Sequence, residues 1–595
     1  MKKTALILIC LYAGLSAQVQ FKRTSLLPSG LYTGLAGRVI CYDTDHNGLK
    51  ELIFSTGTIY PSDPLRWEVW EYRPLNHFEL VYADTGYYPP HPGIMDGCFR
   101  PWDVGDIDRD GLVDLAGHNE DWTQGTDSMY NLLVTYECPS DTSFPESLTW
   151  SFRWGVNETH SSPVYLRNDL DGDSYREFVN ATGNPQIGWG VWENVGNNQN
   201  ELVWHSLTPD GWALAFGDFD QDGRQEFATA ALGGGPVSVL KCTGDDQYEL
   251  VYQDTTHLPN GSDVFSGDVN GDARPEFFVG FYEYPSSTFR LYMWRATGIN
   301  TYQRVFVDRN VNMTTVSPER SSKCGDVDGD GVDEIAWATP ENLFLYKETG
   351  PDQFHQVWQW RQDQGIGEGI IVNIADVNND GYNEIIVGGG GRDSRISVFE
   401  VEAVRVLVPN GGEIFVPGHA MVRWQAFAPP RCDSFSVWFT PDNGRTFEPL
   451  GHGIPPTDSS VGWTVPEINS DSCKVRVVAY GPGTQFDESD SYFSIVTASK
   501  AEAGLPIIRE TRLLSISPNP IRDQAVVRFQ LAEPGRVTLR ISDVTGRSVE
   551  TLVDDVLKPG AYVSSWHAQG VASGIYFLSF AASEVRTTSK LILSR

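Results

Sequence analysis

The sequence predicts an all-β protein, a seven-bladed β-propeller followed by two β-sandwich domains. Three observations predict it. A nine-residue acidic segment recurs seven times, with start-to-start separations of 63, 63, 49, 50, 58 and 50 residues, in the range where propellers and solenoids repeat. Short apolar or aromatic strand patterns fill the intervals between these segments. After Ala403 the acidic repeat stops, and Pro-Gly punctuation and alternating strands take over. Composition agrees: 12% aromatic residues, 58 Gly and 35 Pro in 595 residues describe a turn-rich globular chain, neither collagenous nor disordered. A chain of this length exceeds what one ordinary core can bury, so it must hold several domains or a repeat array.

The balance of 44 basic against 78 acidic residues, net −34, argues against binding nucleic acid through phosphates or resting on anionic lipid. Cations are the natural partner. The N-terminus reads as a cleaved signal peptide over residues 1–17: Lys2 and Lys3, an apolar run from Ala5 to Leu15, then Ser16 and Ala17. Ile9 stands before Cys10 where a lipoprotein signal has a small residue, which argues against a lipid anchor. No later stretch approaches 18 apolar residues, so no transmembrane helix is expected. Removing Cys10 leaves seven of the eight cysteines; an odd number in an oxidising compartment leaves at least one thiol free or intermolecular.

The seven segments share one plan. Oxygen-bearing side chains stand at positions 1, 3, 5 and 9: Asp43, Asp45, Asn47 and Glu51 in the first; Asp106, Asp108, Asp110 and Asp114 in the second; Asp169, Asp171, Asp173 and Glu177 in the third; Asp218, Asp220, Asp222 and Glu226 in the fourth. The fifth has Asp268, Asn270, Asp272 and Glu276, the sixth Asp326, Asp328, Asp330 and Glu334, the seventh Asp376, Asn378, Asp380 and Glu384. With a carbonyl at position 7, such a set is the oxygen cage that a hard cation such as Ca²⁺ prefers, and Mg²⁺ suits it less. Up to seven Ca²⁺, one per loop, are expected. Gly at position 6 (Gly48, Gly111, Gly223, Gly331, Gly381) allows a left-handed turn around the ion, and Ser174 and Ala273 replace it in loops three and five. These four positions hold 25 carboxylates, which would repel one another without a counter-ion. Asp, Asn and Gly also make ordinary turns, but seven copies in register exceed turn chemistry. An EF-hand would place its last ligand at position 12 and flank the loop with helices. Here the ninth residue runs into a strand, as in Glu51-Leu52-Ile53-Phe54.

Each loop is preceded by a short apolar strand, as at Gly37 to Tyr42, Trp212 to Gly217 and Ile370 to Ala375, and followed by a second. An aromatic-rich third strand recurs, from Trp67 to Tyr72 in the first repeat to Ile396 to Glu400 in the last. A fourth recurs as Phe78 to Tyr82, Glu201 to Trp204, Tyr248 to Tyr252, Gln303 to Phe306 and His355 to Trp358. Four antiparallel strands in each of seven repeats make a propeller. Only the seventh repeat lacks a fourth strand, and Val19 to Leu27 is a spare that can pair with Ile396 to Glu400 and close the ring.

Over residues 18–403 these loops and strands resemble the FG-GAP or VCBS repeats of the integrin alpha-chain propeller and of many secreted bacterial proteins. The resemblance implies calcium in the loop between the first two strands of each blade. The repeat serves adhesins, lectin-like proteins and some polysaccharide lyases, so it implies no single activity.

Residues 404–496, with Pro409-Asn410-Gly411-Gly412-Glu413, Val422-Arg423-Trp424 and a hairpin at Pro441-Asp442-Asn443-Gly444, resemble bacterial immunoglobulin-like modules. Cys432 and Cys473 are their only cysteines, either bridged or two separate thiols. Residues 497–512 read as a linker. Residues 513–595, with Ser515-Ile516-Ser517-Pro518-Asn519-Pro520, Ser573-Gly574-Ile575-Tyr576-Phe577 and a terminal Lys590-Leu591-Ile592-Leu593-Ser594-Arg595, resemble the type A sorting domain of the type IX secretion system, itself immunoglobulin-like. That resemblance implies export across the outer membrane of a Gram-negative-type bacterium, interaction with the secretion machinery, removal of the domain, and release or surface attachment.

No catalytic constellation emerges. His91 and His118 fall in the longer repeats, where enlarged loops are expected, and form no zinc or triad spacing. Trp70, Trp192, Trp294 and Trp358 recur on blade strands and read as inter-blade core. The sequence therefore favours a secreted or surface calcium-binding scaffold for an extracellular glycan or protein ligand. The alternative is an extracellular polysaccharide-active enzyme, whose mark would be His, Arg, Lys or Tyr converging at the centre of one propeller face.

Overall fold

The computed structural model describes residues 21–27, 36–56, 66–73, 77–83, 99–122, 129–156, 164–166, 169–181, 189–206, 213–230, 235–256, 260–283, 288–310, 321–339, 342–361, 371–388, 396–427, 432–481, 484–497, 511–517, 519–521, 524–557, 560–568, 571–582 and 585–594. The expected signal peptide, His91 and most of the expected linker lie outside them. The described residues contain no helix. The chain divides into two compact units, residues 1–402 and 403–595.

The first unit is seven four-stranded antiparallel sheets. In each, the first two strands flank an acidic loop, as Leu214–Gly217 and Glu226–Ala230 do in blade four, followed by Val237–Gly244 and Gln247–Asp254. Blade two has the expected fourth strand, Ser147–Val156, whose polar and apolar residues alternate. The spare N-terminal strand, Phe21–Leu27, pairs antiparallel with Ile396–Val401 as expected, running from Phe21 opposite Val401 to Leu27 opposite Ile396. This completes blade seven and removes a free sheet edge.

Second strands carry the heart of the core, because they lie between two neighbours in their own sheet and beneath the adjacent blade. Leu52, Ile53, Phe178, Phe227, Ala228, Phe277, Ile335, Ile385 and Ile386 are all essentially inaccessible. Trp192 and Trp294 are fully buried and Trp358 nearly so, as expected for inter-blade core, while Trp70 is half-buried against it.

Hydrogen bonds across the central strands tie blade to blade. Tyr165 accepts from the Leu214 amide at 3.0 Å, Ser266 donates to the Phe216 carbonyl at 2.9 Å, and Asn373 donates to the Val39 carbonyl at 2.9 Å, the last across the ring closure. Close approach explains Gly267, where an added Cβ would lie 2.3 Å from that of Cys324.

In the second unit, strands Val404–Val408, Gly418–Ala426 and Ser460–Val465 form one sheet, and Ser434–Thr440, Glu448–Ile454, Ser470–Tyr480 and Phe493–Ile495 belong to a second. Val406, Trp424 and Trp463 from the first meet Phe435, Val437, Val475 and Phe493 from the second in one core. Cys432 and Cys473 are both buried and both free thiols, so the bridging option is not taken. Further along, a three-stranded sheet of Arg512–Ser517, Gln524–Leu531 and Gly560–His567 shares another core with a four-stranded sheet. The Ser573 to Phe577 segment lies in that second sheet, on Gly574–Ala582, and pairs with Val585–Leu593. Among the described residues no helix is long and apolar enough to cross a membrane.

Candidate metal centres

All seven acidic loops adopt one conformation, and the reason lies in how each nonapeptide satisfies its own backbone. The position-2 residue plugs into the core: Thr44, Ile107, Leu170, Phe219, Val269, Val327 and Val377 are buried. Its amide donates to the position-9 carboxylate in every loop, from Thr44 to Glu51 at 2.6 Å to Val269 to Glu276 at 3.3 Å. The position-7 amide donates to the position-5 side chain in every loop, as Leu49 does to Asn47 at 2.7 Å. Position 6 is left-handed throughout: the five glycines lie between φ 85° and 91°, Ser174 at 84° and Ala273 at 64°. Position 4 is left-handed too, and four of its residues are neither Gly nor small: His46, Arg109, Gln221 and Asn379.

In loops three and four this geometry gathers the side chains at all four positions 1, 3, 5 and 9. One carboxylate oxygen from each of Asp169, Asp171, Asp173 and Glu177 lies within 4.8 Å of the others, and the same holds for Asp218, Asp220, Asp222 and Glu226. Asp43, Asp45 and Glu51 form a similar group, as do Asp106, Asp108 and Asp114. No position-9 carboxylate is more than 2% exposed. Burial pushes Glu51 up to about 7 and Asp114 and Glu177 up to about 8, against the pull of the amide each accepts from position 2. Burial and the neighbouring Glu400 likewise raise Glu384 well above the usual range. A buried carboxylate resists ionising unless positive charge is beside it. Oxygens Asp43 Oδ1, Glu51 Oε1, Asp106 Oδ1 and Glu177 Oε1 are buried without a hydrogen-bond partner. Orphaned buried oxygens facing a cluster of their own kind fit a hard divalent cation.

Two elements that the sequence pattern did not single out border the loops, the first at all seven and the second at loops two, three and four. The first is the third-strand residue opposite position 9. It is Glu71 opposite Glu51, Glu137 opposite Asp114, Glu193 opposite Glu177 and Lys241 opposite Glu226. In blades five, six and seven the residues alongside Glu276, Glu334 and Glu384 are Arg295, Lys347 and Glu400. The second is the hairpin turn between the third and fourth strands of the next blade. Asn198 donates its amide to Asp108 at 2.8 Å, Asp246 to Asp171 at 2.8 Å and Asn300 to Asp220 at 2.8 Å. Each clasps the position-3 carboxylate of the preceding blade. A sequence signal for these turns existed in the recurring Gly-x-Asn/Asp of residues 196–198, 244–246, 298–300 and 350–352.

His118 is not in an enlarged loop. It lies on strand Asp114–Trp122, buried, and accepts a hydrogen bond from Trp102 Nε1 at 2.8 Å. At the ring's centre the innermost strands line a cavity of about 350 Å³. Arg38 stands over the rings of Trp102 and Tyr165, and Asp103 accepts from the Leu166 amide of the next blade at 3.1 Å.

Fold and loops together define a seven-bladed propeller built on acidic inter-strand loops. Residues 326–387, spanning loop six to the second strand of blade seven, match the FG-GAP-like repeat, and residues 515–594 match the secretion system C-terminal sorting domain. The sorting domain marks the chain for type IX export to a secreted or cell-surface location and implies contact with that secretion machinery. No curated protein matches the chain. Among solved structures it is similar to the Dos1 propeller, at 10% identity and TM-score 0.36, over 64% of this chain and 95% of that one. It is also similar to an exo-β-1,3-galactanase from Phanerochaete chrysosporium solved with galactose, at 10% identity and TM-score 0.28, over 78% and 99%.

Proposed function

We propose that this exported propeller is a calcium-stabilised binding scaffold, presenting a rigid disc to an extracellular glycan or protein. The observation that carries this reading is the set of buried, unpartnered oxygens at Asp43, Glu51, Asp106 and Glu177 inside otherwise self-satisfied loops. Side chains at positions 1, 3, 5 and 9 would hold the ion, which would supply charge neutralisation and cross-linking of the first two strands of a blade. The central cavity has Arg38, Tyr165 and Lys323 among its lining residues, the kind of convergence the enzyme alternative calls for. Its Arg38, Asp103, Tyr165 and Asn373 are engaged with neighbouring blades, so they brace the ring.

The test is calcium binding to the full chain by equilibrium dialysis with metal analysis, followed by a glycan-array and cell-adhesion screen with and without chelator. Bound calcium, and a ligand retained only while calcium is present, are expected. A chain that takes up no calcium and melts identically in chelator would overturn the reading. Turnover of a polysaccharide would replace the scaffold with the enzyme.

A further inference from the structure

Resting on the calcium reading, the third-strand residues lead to a sharper statement about this ring. We propose that it is divided into two arcs: blades seven, one, two and three take calcium, while blades four, five and six carry their own cation in the form of Lys241, Arg295 and Lys347.

In blade four the Lys241 ammonium lies 2.7 Å from Asp220, 2.7 Å from Asp222 and 2.8 Å from Glu226, with only 4% of its side chain exposed. Those are ligand positions 3, 5 and 9, so the ammonium stands where an ion would have to sit. Blade six repeats the arrangement: Lys347 is 2.8 Å from Asp328, 2.8 Å from Asp330, and bonded to Glu334. In blade five Arg295 reaches Glu276 at 2.8 Å, and its outer nitrogens reach Glu348 at 2.7 Å and Asp352 at 2.5 Å in the next blade. Asn at position 3 does not separate the arcs, because its amide nitrogen donates to the ninth residue in both loop five, Asn270 to Glu276 at 2.7 Å, and loop seven, Asn378 to Glu384 at 3.1 Å; the third-strand residue does. A divalent ion would have to displace a cation anchored by buried ion pairs, against direct charge repulsion.

The other arc has a carboxylate at that same place, and in blade one that carboxylate, Glu71, is paired with Arg73 and accepts from the Asn47 side-chain amide at 2.6 Å. Glu137 lies with Asp108 and Asp110 in a group whose oxygens are within 4.8 Å of one another. Glu193 faces loop three, where Asp246 of the neighbouring blade adds a further acid. Glu51 and Glu177, at most 2% exposed, each keep an oxygen without a hydrogen-bond partner, whereas the corresponding Glu226 oxygen of loop four lies 2.8 Å from the Lys241 ammonium. Blades seven and one are neighbours, since Lys50 donates to the Asp376 carbonyl at 2.6 Å and Asn379 to the Gly48 carbonyl at 2.7 Å. The four acidic blades are therefore contiguous, and so are the three cationic ones.

The experiment is the calcium stoichiometry of the full chain by equilibrium dialysis with metal analysis, for wild type, Glu193→Lys and Lys347→Glu, with circular dichroism reporting the fold. Four ions are expected for wild type, three for Glu193→Lys and five for Lys347→Glu. Five to seven ions in wild type would overturn the division while leaving calcium binding intact, and no ion would overturn calcium binding itself. Should Lys347→Glu fail to fold, wild type and Glu193→Lys still decide. A folded Lys347→Glu that binds no additional ion overturns the division.

Discussion

Loops three and four are neighbours with the same acids at positions 1, 3, 5 and 9, yet they solve one electrostatic problem in opposite ways. Opposite the ninth residue, loop three meets Glu193 and loop four meets Lys241. In loop three burial pushes Glu193 up to about 7, and the surrounding acids Asp246, Asp173 and Asp171 push the same way. In loop four burial opposes the Lys241 charge, but hydrogen bonds to Asp220, Asp222 and Glu226 outweigh it and hold the ammonium protonated. A covalently attached cation works at any solution composition. A diffusible one links the fold to the calcium around it, so that stability becomes a function of ion concentration.

The largest effect that would break this comparison is chelation. Each calcium site saturated a hundredfold above its Kd stabilises the native state by about 2.7 kcal/mol, and occupied sites in one cooperative ring add. Thermal unfolding of the full chain in calcium and in chelator should therefore differ by many degrees. Hydrogen exchange should localise the loosening to loops one, two, three and seven. Equal loosening of loops four to six would dissolve the distinction between the arcs.

A control of comparable size comes from the closing strand. Deleting residues 18–28 strips blade seven of Phe21 and Leu27, both buried, and of the pairing with Ile396–Val401. Burial of two large side chains alone is worth about 5 kcal/mol. The same loss should appear with and without calcium, since the strand closes the sheet and adds no carboxylate to loop seven. A loss confined to chelator would mean that the strand acts through the metal.

Next in size is Lys241→Met. Removing one partner of a buried ion pair costs about 3–5 kcal/mol, because the carboxylates left behind are uncompensated. In chelator the variant should melt well below wild type. In calcium much of the loss should return, because loop four then presents the bare acids of loop three. Urea unfolding in the two buffers measures both numbers, and a loss that calcium does not reduce would show that the lysine is doing more than standing in for an ion.

The loops were legible in the sequence because their requirements are local: an oxygen every second residue, a left-handed turn at position 6, and an acid at position 9 entering a strand. The ring closure was legible by counting strands against repeats. What decides between the arcs was not, because Glu193 and Lys241 lie 16 and 15 residues beyond Glu177 and Glu226, and only the strand register brings them opposite. The left-handed position 4 escaped for another reason. His46, Arg109 and Gln221 have no turn signature of their own and are held there by the amide-to-carboxylate bonds of the loop. His118 was misplaced because blade two's second strand is long, running to Trp122.

The smallest effect tests how far the two arcs differ in backbone alone. An added Cβ at Gly48, Gly111, Gly223, Gly331 or Gly381 meets nothing within 4 Å, so at position 6 the cost of a side chain is purely conformational, about 1 kcal/mol. Ser174 and Ala273 both bear it, at φ 84° and 64°, and on that ground loops three and five would rank together as the weakest sites. Their third strands separate them. Loop five is held shut by Arg295, so its turn is enforced whatever the calcium level. On the proposed reading loop three would rely on an ion to keep Asp169, Asp171 and Asp173 together. Ala273→Gly should therefore raise the melting temperature by the same small amount, at most about 2 °C, in calcium and in chelator. Ser174→Gly should do so in calcium and much less in chelator, where the repelling acids loosen the turn and its strain is already relieved. Identical calcium dependence in the two variants would put loops three and five back in one class.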